Sequence, residues 1–303
     1  MYDGEVYARV STVGTEGDRA FVLVPGIGVS SNYFERLAFQ LNEFGPVVAL
    51  DLPGFGGVPH PRRRRLSITD YARLVDRVID AAELDDPIVV GHSMGTQIVA
   101  ELARRRPLTD LVLLSPVLDP RQRGGWLALK RFVQSAMHEE PRIVLVCLYA
   151  YLLCGPRWFS RMLPMLMRYR IEEALPDIRA NTLVVAGDQD ALCPQDWLTE
   201  VAELLPQAQV WLIPDASHSV MHGNAEDVAT LCIQHARREE PDDDTVRIAA
   251  HAETDEPDAA PADVAKAVAG RAQELAGIIA DDDEVIAGGK TTHAEAAESA
   301  ADS

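Results

Sequence analysis

The stretch Val89-Val90-Gly91-His92-Ser93-Met94-Gly95 constrains this chain more than any other. The apolar run at residues 87–90 leads into it, and residues 94–106 read as a helix leading out. A Gly-x-Ser-x-Gly pattern between a strand and a helix puts the serine on a tight, strained turn with its hydroxyl clear of the backbone. Gly91 and Gly95 let strand and helix approach closely around it. The first amides of the new helix lack partners within the helix and face the space where an oxyanion would form. Ser93 is therefore a candidate nucleophile, provided that the rest of a site is present.

Strands and helices alternate around this turn. Residues 5–13 alternate like an antiparallel edge strand, and Ala20-Phe21-Val22-Leu23-Val24 is the continuous apolar run of a strand covered on both faces. It ends in Pro25-Gly26-Ile27-Gly28, after which Asn32 is placed to cap a helix over residues 33–42. A strand is expected at 46–50, a helix at 69–82, and a strand at 111–114. The rhythm breaks at Ser115-Pro116: residues 119–176 are helix-like, rich in Leu, Met, Arg and aromatics. It resumes with a strand at 182–186, a helix at 196–204, a strand at 209–213 and a helix at 224–238. Such alternation implies a mostly parallel, doubly wound α/β sheet, and the all-helical interruption reads as a cap. The expected organisation is a core in two parts, residues 1–118 and 177–240, a cap at 119–176, and a tail at 241–303.

Charge separates the tail from the rest. The formal net charge is −19; from residue 241 onward sixteen acidic residues meet four basic ones, a net of −12, leaving −7 for the first 240 residues. That composition, with acidic triplets at 242–244 and 281–283, predicts a disordered, self-repelling tail, although Val264, Val268, Leu275, Ile278 and Ile279 have roughly helical spacing. The acidity argues against nucleic acid as a partner. Cys147, Cys154, Cys193 and Cys232 show no metal-like spacing, so reduced thiols and a cytoplasmic setting are expected, with no signal peptide, no metal and no cofactor. The longest apolar run, residues 143–154, is twelve residues, short of the roughly 20 that span a bilayer.

Taken together, the serine turn, the Pro25–Gly28 loop, the Asp51-Leu52-Pro53-Gly54-Phe55-Gly56 turn and the inserted helices resemble the α/β-hydrolase fold superfamily. The resembling type has a serine nucleophile and a helical cap after its sixth core strand. The likeness covers about residues 5–238. It implies a triad in the chain order serine, acid, histidine. The family's Gly-x-x-Asp pattern falls on Gly187-Asp188-Gln189-Asp190 and points to Asp190, with Asp188 as the alternative; Asp119 is another, since some relatives carry the acid after the sixth strand. The base is expected at His218 in Pro214-Asp215-Ala216-Ser217-His218-Ser219. His222 reads as the start of the last helix, His92 leaves the turn beside the serine and cannot be the base, and His60 reads as a surface histidine. The resemblance places the oxyanion donors at the backbone amides of Met94 and Ile27, with Pro25 standing where relatives usually have histidine. Asp51 is expected to shape the turn rather than to react.

Serine at the turn excludes the aspartate-dependent alkyl-enzyme route of some relatives. What remains is a serine hydrolase (esterase- or lipase-like) cleaving a carboxylic ester with a hydrophobic group. The competing readings are a carbon–carbon bond hydrolase of ring-cleavage products and a non-catalytic ligand-binding protein on the same fold. The apolar cap offers Trp126, Phe132, Trp158 and Met162 as substrate-binding residues, and its content favours an apolar acyl partner. The run Arg62-Arg63-Arg64-Arg65 could steer an anionic substrate or attract the acidic tail.

Overall fold

A computed structural model describes residues 2–239, apart from 4–5, 62–63, 125–126, 128–129, 133, 136–138 and 140. The tail, Trp126, Arg62 and Arg63 therefore lie outside the described residues. Strands β1 (Tyr2–Asp3) and β2 (Val6–Tyr7) pair as a short antiparallel ribbon. The main sheet has seven strands: β3 (Arg9–Val13), β4 (Phe21–Val24), β5 (Val47–Asp51), β6 (Ile88–His92), β7 (Asp110–Leu114), β8 (Asn181–Gly187) and β9 (Ala208–Ile213). Their spatial order is β3-β5-β4-β6-β7-β8-β9, and β3 alone pairs antiparallel, at one edge as its alternation predicted. Parallel neighbours need crossovers, which the helices supply.

The apolar runs follow from this placement. Every residue of β4, β5, β6 and β7 is buried, because helices cover both faces of the central strands. Val22, Val24, Val48, Leu50, Val89, Leu111 and Leu113 share one core with helices α2 (Ile68–Ala81) and α3 (Met94–Ala103). The alternate residues, Phe21, Leu23, Ile88, Val90 and Val112, are equally buried and by the two-residue period point to the other face. There α1 (Glu35–Leu41) packs with the last helix, α9 (Ala225–Arg237). The edge strand β9 is exposed along its first three residues, on both of its faces.

Two helix starts show what sets local structure. Ser67 accepts from the Asp70 amide while the Asp70 carboxylate accepts from the Ser67 amide at 2.9 Å, a reciprocal cap contributing about 1 kcal/mol to α2. Asn32 does not cap its helix. A 3-10 turn, Ser31–Phe34, precedes α1, and the buried carboxylate of Asp51 receives the Ser31 amide at 2.5 Å instead. Asp51 also pairs with Arg9, whose other arm reaches the Gly56 carbonyl. Its two carboxylate oxygens are thus taken up by contacts within the fold.

Between β7 and β8 most of the described residues are helical. A 3-10 turn at Pro120–Gln122 is followed by α4 (Pro141–Cys154), α5 (Pro156–Arg168), and the short α6 (Ile171–Ala174). In α5, Trp158, Met162 and Leu166 recur every four residues and are buried, while Arg157, Arg161 and Arg168 are exposed. The remaining helices are α7 (Gln195–Leu204) and α8 (Val220–Gly223). By compactness Pro141–Tyr149, the first part of α4, forms a unit apart from the other described residues. No single helix among the described residues is long and apolar enough to cross a membrane.

Candidate active site

The sharp turn after β6 is held by contacts that only glycine permits. A methyl group on Gly95 would lie 2.2 Å from the Val24 carbonyl oxygen, and one on Gly91 would lie 2.6 Å from both the Gly95 carbonyl oxygen and Val99. Ser93 between them has φ 54° and ψ −119°, a conformation rarely adopted by residues with a side chain. Its amide donates to the Leu114 carbonyl at 3.0 Å, and its own carbonyl accepts from the Thr96 hydroxyl at 2.6 Å and the Thr96 amide at 3.0 Å. Met94 is the first residue of α3, so its amide has no acceptor within the helix.

The Pro25–Gly28 loop lies against this turn. A methyl on Gly26 would come within 3.1 Å of Ser93 Cβ, so the loop touches the serine at Gly26. Gly28, at φ +81°, faces the ring of Tyr151: an added methyl would sit 2.4 Å from it and 3.7 Å from Phe159. Tyr151 meets Phe159 edge-on, with centroids 5.1 Å apart, and Phe132 at 6.0 Å. An aromatic group from the insertion therefore borders the loop. Phe132 belongs to it, and Tyr151 is hidden within the unbroken apolar run at residues 143–154, where no residue stands out.

The side chains of Asp190 and His218 meet. His218 Nδ1 donates to Asp190 Oδ2 at 2.8 Å, and Asp190 Oδ1 accepts from the Leu192 and Cys193 amides at 2.9 and 3.2 Å. Gly187 makes the approach possible. A methyl there would lie 2.0 Å from the Ala216 carbonyl oxygen, which also accepts from the Gln189 amide at 3.0 Å. Asp188 is exposed, and Asp119 is taken up by the amide and guanidinium of Arg121, so Asp190 is the carboxylate that orients His218. Burial pushes the Asp190 carboxyl up, but the His218 charge and the hydrogen bonds outweigh it and hold the group below its ordinary value. For His218 burial acts downward, Asp190 and Glu139 act upward, and the imidazole ends above its ordinary value.

His92 is not a base, and it has a different use. Its Nε2 donates to the His218 carbonyl at 3.0 Å, tying the residue before Ser93 to the histidine loop. Burial, then the nearby His218, hold it well below the ordinary histidine range, so it stays neutral. The insertion also reaches the His218 loop, through Ser135 and Glu139.

Other anticipated residues have structural duties. Trp158 stacks on His60 with centroids 4.0 Å apart and an interplanar angle of 7°, so His60 is no free surface histidine. The same indole fills the space over Gly54, at φ +88°. Met162 is buried, and its Sδ accepts from the Tyr71 hydroxyl at 3.3 Å. Arg64 pairs with Asp70 at the cap of α2, and Arg65 is exposed. His222 lies in α8 with its ring centroid 6.3 Å from Tyr33. Among the described residues, no group of His, Cys, Asp and Glu could hold a metal ion.

The model of the alpha/beta hydrolase family matches residues 21–231, well over half the chain. The chain belongs to that family, and it is an enzyme, a hydrolase. It is 27% identical over 250 residues to the Azorhizobium caulinodans protein named "Putative carbamate hydrolase RutD", covering 72% of this chain and 89% of the relative. It is 31% identical over 217 residues to the dihydrolipoyllysine-residue acetyltransferase component of the acetoin cleaving system from Cupriavidus necator, covering 62% of this chain and 56% of that one. In fold it is similar to a thermophilic esterase from Thermogutta terrifontis, with a TM-score of 0.67, 20% identity, and 78% and 94% of the two chains covered. A meta-cleavage product hydrolase from Pseudomonas fluorescens IP01 gives a TM-score of 0.61 at 18% identity, with 77% and 95% covered.

Proposed function

We propose that the protein is a serine hydrolase acting on a carboxylic ester, or a related acyl compound, that carries a hydrophobic group. Ser93 Oγ attacks the acyl carbonyl as His218 Nε2 takes its proton, and Asp190 holds Nδ1–H and the imidazolium that forms. The Met94 and Ile27 amides receive the oxyanion. His218 then gives the proton to the departing alcohol oxygen, leaving an acyl group on Ser93. A water, deprotonated by His218, adds to that acyl group; the tetrahedral intermediate collapses, and Ser93 regains its proton as the acid leaves.

The observation that carries this reading is the Asp190–His218 pair at 2.8 Å, on a loop tied through His92 to the turn that presents Ser93. The apolar preference rests on Phe132, Tyr151 and Phe159 beside the oxyanion loop. We assign the cap role to residues 119–176 on the same ground. Similarity to a protein named for carbamate hydrolysis extends the substrate class to acyl carbons bonded to nitrogen, for which the same machinery serves. The four cysteines form no disulfide, which suits a reducing, cytoplasmic setting. The test is labelling with a fluorophosphonate probe. Wild type is labelled and Ser93→Ala is not; an unlabelled wild type overturns the reading. Turnover of p-nitrophenyl esters of rising chain length, beside the matching carbamates, then ranks substrates.

A further inference from the structure

The carboxylate of Glu139 has no part in the triad, yet it lies against the loop that carries the base. Its Oε1 accepts from the Ser219 amide at 2.9 Å. The residue on the other side of His218 is held from the same segment: Ser217 Oγ donates to the Ser135 carbonyl at 3.2 Å, and the two serine hydroxyls are 3.5 Å apart. Ser135, Ser217 and Ser219 are all buried. The flanks of the histidine are thus fixed from the insertion, while His218 itself is fixed from the sheet side by Asp190 and His92.

We infer that Glu139 is a positioning residue, which clamps the His218 loop from the inserted segment and sets a second negative charge beside the imidazole. This rests on His218 being the base. A half-buried carboxylate this close attracts the proton on His218 through protein rather than through bulk water, so the charge is only partly screened. The groups facing His218 from the packed elements are Asp190 after β8, Glu139 from the insertion, and His92 from the elbow; Tyr33 reaches the loop through the Ser219 hydroxyl. His92 is neutral, so the two carboxylates set the sign of the field. Burial raises the Glu139 carboxyl, and the nearby His218 and serine hydrogen bonds restrain that rise.

Two substitutions separate clamp from charge. Glu139→Gln keeps an oxygen that can accept from Ser219 and removes the charge. Glu139→Ala removes both. In Glu139→Gln the His218 imidazole, followed by NMR, should titrate at lower pH than in wild type, and the acid limb of the fluorophosphonate labelling rate should move the same way. Glu139→Ala should also lower the limiting labelling rate about tenfold, the effect of one lost hydrogen bond, with the far-UV spectrum unchanged. An unmoved His218 titration in Glu139→Gln overturns the inference, as does a limiting rate retained in Glu139→Ala. The NMR titration needs no activity. If wild type is unlabelled while the titration still shifts, the hydrolase reading falls and the Glu139 contact stands.

Discussion

Asp190→Asn isolates the charge behind the base. The substitution keeps the shape of the side chain and an oxygen for the Leu192 and Cys193 amides, but leaves a neutral amide opposite His218 Nδ1. With the nitrogen and oxygen 2.8 Å apart, the centres of charge are about 4 Å apart, and at an effective dielectric of about 20 the attraction is roughly 4 kcal/mol. At a pH above the His218 titration the imidazolium exists only while His218 holds the Ser93 proton, so the loss falls on the transition state and not on bound substrate. At about 1.4 kcal/mol per tenfold, kcat should fall on the order of 10³-fold, with KM little changed. An amide nitrogen turned toward Nδ1 would favour the wrong tautomer and deepen the loss. Steady-state hydrolysis of a p-nitrophenyl ester measures it. A loss below tenfold refutes the reasoning, and so does an equal loss in Asp119→Asn, whose carboxylate is held by Arg121.

The same pair predicts how stability depends on pH. His218 is raised on folding, so its contribution is complete below the unfolded histidine value of about 6.5 and is lost as pH rises through the folded value; Asp190 is lowered, so its contribution is present above about 3.9 and lost as pH falls. The Tm difference between wild type and Asp190→Asn should therefore be largest in the window between those two values and shrink at higher pH, while base catalysis grows over the same rise. A difference that widens above neutral pH contradicts this. Trp158→Ala removes a buried ring stacked on His60 and seated over Gly54, and should cost about 3–5 kcal/mol in urea unfolding; a cost under 1 kcal/mol would mean that the ring is not part of the core.

The frame was legible because its signals are local. Phe21–Val24 and Ile88–Val90 are apolar without alternation, the mark of strands covered on both faces, and Gly91 and Gly95 announce a turn that tolerates no side chain. The Gly-x-x-Asp pattern pointed to Asp190 over Asp188, and the contact with His218 separates them in space. What escaped notice acts across the chain: Glu139 meets Ser219 eighty residues away, and Tyr151 covers Gly28 from within an unbroken apolar run. Asn32 failed as a cap for the same reason, because Asp51, distant in sequence, already holds the Ser31 amide.

The hydrogen bonds that Ser217 and Ser219 donate to the Ser135 carbonyl and the Glu139 carboxylate also bear on how such an enzyme can be rebuilt. Inserted caps invite exchange as modules, a new roof on an old sheet. Here the segment carries part of the mount for the histidine, so a transplanted cap arrives without it. A chimera that ignores these two residues changes the geometry of the base as well as the pocket. Grafts meant to alter specificity should begin after residue 139, or carry a serine and an acid at the matching places.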